Sequence, residues 1–162
     1  KVCLIGHDAW YDGLYADWMN SRVWMNDYEI IQEFMPKLKP EKLNLIRDLA
    51  HEAAGHVSMQ AEAAIEQGYK KIYIATHIPP FRENAVYNGK ISDNHWMPHF
   101  SSKIMGDMIL RLGTQHPEIE FVVLCGHSHG EATFKPLANV TSYTGFAEYR
   151  CRNIANVFEE ST

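Results

Sequence analysis

Apolar positions fall into two rhythms along this chain. Three short runs, Val2-Cys3-Leu4-Ile5, Ile72-Tyr73-Ile74-Ala75 and Phe121-Val122-Val123-Leu124-Cys125, are apolar without alternation. Runs of that kind predict strands covered on both faces, the habit of parallel sheets. Between the first two lies a stretch, 41–67, in which Leu43, Ile46, Ala50, Ala53, Val57, Ala61 and Ala64 recur every three or four residues. That spacing predicts one long helix with a single apolar face, Pro40 in its first turn and Gly68 at its C-terminal stop. A second helix is predicted from a Ser101 cap to Gly113, with Ile104, Met105, Met108 and Leu112 on its inner face. Residues 28–34 read as a short helix, and 82–94 as a polar loop after the strand-stopping pair Pro79-Pro80. Beyond Gly130 the chain reads as strands at 132–137, 140–144 and 153–158, separated by the turn residues Asn139 and Gly145. Strand and helix in alternation predict an α/β fold with parallel pairing, closed by antiparallel strands.

Length and composition fit this picture. The 162 residues suit one domain, and 46% hydrophobic with 22% charged residues is ordinary for a globular protein. The net charge of −5 and the lack of a Lys/Arg cluster argue against a nucleic-acid backbone as partner. No apolar run approaches the ~18 residues of a membrane span. Cys3, Cys125 and Cys151 lack zinc-type spacing, and two of them lie in apolar runs. Buried free thiols of that kind point to a reducing, cytoplasmic compartment. Asn139-Val140-Thr141 has the letters of a glycosylation sequon, read here as chance. The chain starts at Lys1 directly in a strand-like run, which reads as a cut edge.

The chemistry gathers at strand ends. The three apolar runs lead into His7, His77 and His127, and His129 follows two residues later. In open α/β sheets ligands bind outside the carboxyl ends of the strands. If these strands are neighbours, four imidazoles converge there with Asp8 beside them, a donor set suited to zinc, iron and related ions. A competing reading comes from Gly126-His127-Ser128-His129-Gly130, which spells the Gly-x-Ser-x-Gly turn of serine hydrolases. That turn requires a helix directly after it and a histidine later in the chain. Here a strand-like, proline-interrupted segment follows, and no histidine comes after His129. Ser128 is therefore read as a spacer between two ligands.

At these residues the chain resembles the calcineurin-like metallophosphoesterases. Gly126-His127-Ser128-His129 is similar to that family's Gly-His-x-His motif, and Thr76-His77-Ile78-Pro79-Pro80 to its upstream single-histidine motif. The resemblance implies an αββα sandwich of which this chain is the C-terminal part. It implies two divalent transition-metal ions (Mn, Fe, Zn or similar), one ligated by His77 and His127 and the other by His129. It implies a phosphorylated substrate, a phosphate mono- or diester, attacked by water activated between the metals. The family's earlier motifs, Asp-x-His, Gly-Asp-x-x-Asp and Gly-Asn-His-Asp/Glu, do not stand in order before His77. A missing N-terminal segment of the same domain is accordingly expected as a partner. A degenerate module without catalysis is the alternative, and a self-contained single-metal site is a third.

Other residues carry two readings each. His7 and Asp8 are expected to touch substrate or support the ligands. Arg82 and His95 are candidates for meeting phosphate, since Arg suits bidentate phosphate recognition; the alternative is a loop leading into a helix and anchored by Trp96. Trp10, Tyr11, Tyr15 and Trp18 read either as the mouth of a substrate site or, at near-helical spacing, as core. His51, His56 and His116 are expected at the surface.

Overall fold

A computed structural model describes residues 1–150 and 154–159. Strand β1 (Val2–His7) starts the chain, followed by an irregular aromatic segment with one turn of helix, α1 (Asp27–Ile30). Helix α2 (Lys39–Glu66) leads to β2 (Lys71–Thr76), a 3-10 turn (Arg82–Asn84) and a small hairpin, β3 (Val86–Tyr87) with β4 (Lys90–Ile91). Then come α3 (Met97–Phe100), α4 (Lys103–Gln115), β5 (Glu120–Cys125), β6 (Ala132–Leu137) and β7 (Val140–Thr144).

The main sheet has the order β1-β2-β5-β7-β6. The first four are parallel, with Ile5 beside Ile74 and Ile74 beside Val123, and β6 closes the edge antiparallel to β7. The architecture is thus α/β with a mostly parallel five-stranded sheet. Among the described residues no helix is long and apolar enough to cross a membrane.

Helix α2 forms where the 3–4 spacing placed it, and all seven of its expected apolar positions are buried. Its start is two residues earlier because Glu41 reaches back to accept the Leu38 backbone N–H at 2.7 Å. Its end is set by Gly68, whose φ of +80° only glycine adopts cheaply. Helix α4 is capped by Ser102, not Ser101: the Ser102 hydroxyl accepts the Met105 N–H. It continues to Gln115, two residues past Gly113, where the missing side chain leaves room for Val140. Both helices pack on one face of the sheet, where Ile46, Val57, Ile72, Ile74, Ile109, Phe121 and Val123 form the core.

The opposite face is covered differently. Leu4 is 69% exposed there, while Phe158 from the C-terminal segment lies against Tyr73 and Tyr143 at ring separations of 5.7 and 5.3 Å. Residues 154–158 form no strand, so the expected strand at 153–158 is absent over its described part; Asn153, like Cys151, lies outside the described residues. The expected loop at 82–94 contains the β3–β4 hairpin, turned by Asn88 and Gly89 at φ of 49° and 72°. Two surface expectations also change. His56 is half-buried with its ring 5.3 Å from that of His7, and His116 is half-buried with Nε2 3.3 Å from Glu62.

Candidate functional site

Parallel pairing of β1, β2 and β5 brings their carboxyl ends to one edge of the sheet. The segments leaving them are stitched together through the backbone. His77 N–H donates to the Asp8 carbonyl at 3.0 Å, and Gly126 N–H donates to the His77 carbonyl at 3.0 Å. Each strand end therefore fixes the next, and the side chains that follow have little freedom of placement.

His77 and His127 meet there. His127 Nδ1 lies 3.1 Å from His77 Nε2, with ring centroids 4.9 Å apart and planes near perpendicular at 74°. The other nitrogen of His127, Nε2, lies 3.0 Å from the backbone carbonyl oxygen of His99. A carbonyl only accepts, so Nε2 carries the proton, and the Nδ1 lone pair accepts a hydrogen bond from His77 Nε2–H. Burial holds the His127 imidazole neutral, with its pKa lowered to about 4. The ring is also boxed in by Phe100 at 5.1 Å and by Tyr11 stacked at 6.3 Å.

Two nitrogens bonded to one tetrahedral zinc at ~2.0–2.1 Å stand roughly 3.3 Å apart. The observed separation is close to that, and metal-bound histidines commonly donate their second N–H to a carbonyl or carboxylate. The pair thus fits as two ligands of one ion.

His129 does not join them. It points to Tyr149, at a ring separation of 4.9 Å, and its carbonyl accepts the Ala147 N–H. Both His127 and His129 hold left-handed backbone, φ 64° and 65°, a conformation that costs a non-glycine residue on the order of 1 kcal/mol. Among the described residues, no group of three or more His, Cys, Asp or Glu side chains is placed to hold a metal ion. The second ion that the family resemblance implies is therefore not fitted by these residues.

The chain matches no family model and no curated protein.

The remaining expected residues divide. Asp8 is exposed and lines a cleft of about 320 Å³ together with Trp10, Tyr11, Asp27, His77 and His127. His7 turns away from it: its Nδ1 accepts the Ala9 N–H at 3.0 Å and its ring packs against His56 on α2. His95 lines a separate cleft of about 290 Å³ with Tyr15, Asp17, Asn20 and Asn94. Arg82 is exposed at the start of the 3-10 turn and lines neither cleft. Ser128 is buried, donates its hydroxyl to the Asn84 carbonyl, and is followed by a strand, not a helix. It is not placed as a nucleophile.

Of the four aromatics, Tyr11 and Trp18 belong to the core and Trp10 packs against it. Tyr11 and Trp18 are fully buried, yet Trp10 and Tyr11 also form the wall of the cleft. The residues that sequence reasoning passed over lie just behind that wall. His99, with no exposed surface, has Nδ1 3.0 Å from the Tyr28 hydroxyl and Nε2 3.0 Å from Ser21 Oγ. Tyr11 Oη is 3.0 Å from Tyr28 Oη, and Ser21 donates to the His95 carbonyl at 2.7 Å. Burial pushes the Tyr11 and Tyr28 phenols up, the latter to about 12, and pulls His99 down to about 4. No spacing pattern marks this set, since Tyr11 and Ser21 lie in irregular chain and Tyr28 and His99 in two separate one-turn helices. A buried histidine after Pro98 shows only when the fold is closed.

Proposed function

We propose that this chain is the C-terminal part of a calcineurin-like metallophosphoesterase domain, in which His77 and His127 hold a divalent transition-metal ion (Mn, Fe, Zn or similar) and phosphate mono- or diesters are hydrolysed. The observation that carries the reading is the 3.1 Å separation of His127 Nδ1 and His77 Nε2, with the second nitrogen of His127 committed to a carbonyl. The chemistry that such an ion supplies is Lewis-acid polarisation of a phosphoryl oxygen. The cleft's own residues place Asp8 and Asp27 beside the histidines and offer no Lys or Arg in its lining. A phosphate entering that space meets two carboxylates, so a dication is needed to reverse the local field. Trp10 and Tyr11 form an apolar wall that orients a bound ester and keeps water from one side. The β1 edge of the second face, where Leu4 is uncovered, is where further chain packs in this reading.

One observation favours a second reading, a module of this fold without catalysis: the described residues bring together fewer than three candidate ligands. The ligands beyond His77 and His127 come, on the enzymatic reading, from outside the described residues.

Loading the protein with Mn, Fe or Zn and assaying an aryl phosphate separates the two. The enzymatic reading expects a bound transition metal and turnover, both lost in His127→Ala. Binding without turnover favours the module, and no binding at all overturns the metal reading.

A further inference from the structure

We propose that His99 is a positioning residue for His127, the central member of a one-directional hydrogen-bond chain that fixes which nitrogen of His127 faces the cleft; the link to metal binding rests on the ligand reading of His127 given above.

The direction of the chain is set at one end. Ser21 Oγ is 2.7 Å from the carbonyl oxygen of His95, so its proton points there. Ser21 must then accept, and it does so from the Val23 N–H at 3.1 Å and from His99 Nε2 at 3.0 Å. His99 Nε2 therefore carries the ring proton. Its Nδ1 is left as an acceptor, filled by the Tyr28 hydroxyl at 3.0 Å. Tyr28, having donated its proton, accepts from the hydroxyl of Tyr11 at 3.0 Å. Every proton in this buried row has one position.

The same residue supplies the carbonyl that orients His127. His99 lies in the last turn of α3, where carbonyl groups have no partner within the helix. His127 Nε2–H fills that of His99 at 3.0 Å. The helix is held at its other end by Asp93, whose Oδ1 accepts the N–H groups of His95 and Trp96 at 2.8 and 3.0 Å. With the His99 ring clamped at both nitrogens, its carbonyl cannot swing away from His127. Tyr11 closes the arrangement, because its hydroxyl starts the chain while its ring stacks on His127.

A core aromatic would fill the place of His99 without two buried polar atoms, each of which costs about 1–3 kcal/mol if left unpaired. A merely structural histidine and a positioning one differ in what they do to His127. The test uses the full chain, metal-free, with ¹⁵N-labelled histidine, and reads the His127 tautomer from long-range proton–nitrogen couplings. Wild type is expected to show a single Nε2–H form. His99→Phe, Tyr28→Phe and Ser21→Ala are expected to show a mixture of tautomers, and Ser21→Thr, which keeps the hydroxyl, is expected to restore the single form. Zinc titration of the same proteins is expected to show a loss of about 10–100-fold in affinity for the first three variants. If His99→Phe does not fold, the Tyr28 and Ser21 variants carry the same test. A single Nε2–H tautomer retained in all folded variants overturns the proposal. Absence of zinc binding by wild type overturns the ligand reading instead, and the tautomer measurement still decides the role of His99.

Discussion

Asp12 holds the N-terminus of α4 from the far side of the sequence: its Oδ2 accepts the Ile104 N–H at 2.7 Å. The same oxygen takes the Ser102 hydroxyl at 3.3 Å, and Oδ1 takes the Leu14 N–H at 2.9 Å. The carboxylate is buried, so its pKa rises, yet three donors and a helix N-terminus hold it in place. It ties the loop bearing Trp10 and Tyr11 to the helix behind the cleft. Asp12→Ala is expected to destabilise the protein by about 2 kcal/mol, measured by urea unfolding at neutral pH. A change below a few tenths would show that the tie is redundant.

Gly130 sits against the β3–β4 hairpin, donating its N–H to the Val86 carbonyl at 2.8 Å. A Cβ there would lie 2.3 Å from that same oxygen. Gly130→Ala therefore has to push the hairpin and the His127–His129 turn apart. The expected cost is about 1–3 kcal/mol, with a measurable change in the ring contacts of His127 by NMR. An alanine variant as stable as wild type would mean that the hairpin yields freely.

The buried imidazoles make stability fall with acid. His99 has its folded pKa lowered to about 4, below the ordinary value of about 6.5. The unfolded chain thus takes up its proton first. The contribution is intact above pH ~6.5 and is lost progressively as pH falls toward 4, by about 2 kcal/mol at pH 5. His127 shifts in the same direction for the same reason. Unfolding free energies measured between pH 7.5 and 4.5 should slope accordingly, and more shallowly in His99→Phe. A flat profile in wild type would contradict the buried, neutral state of these rings.

Of the left-handed histidines, only His129 is free of the pair. His129→Gly removes backbone strain of about 1–2 kcal/mol while adding about 0.5–1 kcal/mol of chain entropy. The net expectation is a melting temperature equal to wild type or a few degrees higher. A drop of several degrees would show that the Tyr149 contact outweighs the strain.

Much of this molecule can be read from its letters, and the reasons differ by element. Helix α2 is legible because seven apolar residues share one face over many turns, a signal no other structure imitates. β1, β2 and β5 are legible as unbroken apolar runs, and their parallel pairing follows from the helices between them. The His77–His127 meeting is legible for the same reason, since both residues end adjacent strands. The β3–β4 hairpin escapes periodicity because each strand is two residues long, although Asn88-Gly89 is a turn signal in plain sight. The separation of His129 and His7 from the pair depends on backbone φ and ring direction, which no spacing rule encodes. His99 is invisible for a related reason: its value lies in a carbonyl and in two partners 71 and 78 residues away.

The pairing of His77 with His127 closes a loop of 50 residues. Contacts so distant in sequence form only after the entropy of loop closure has been met by neighbouring strands. The imidazole pair is therefore absent from a chain still searching for its sheet, and it comes into being only with the register of β2 against β5. A ligand that needed both rings would therefore bind only a chain whose sheet is already in register.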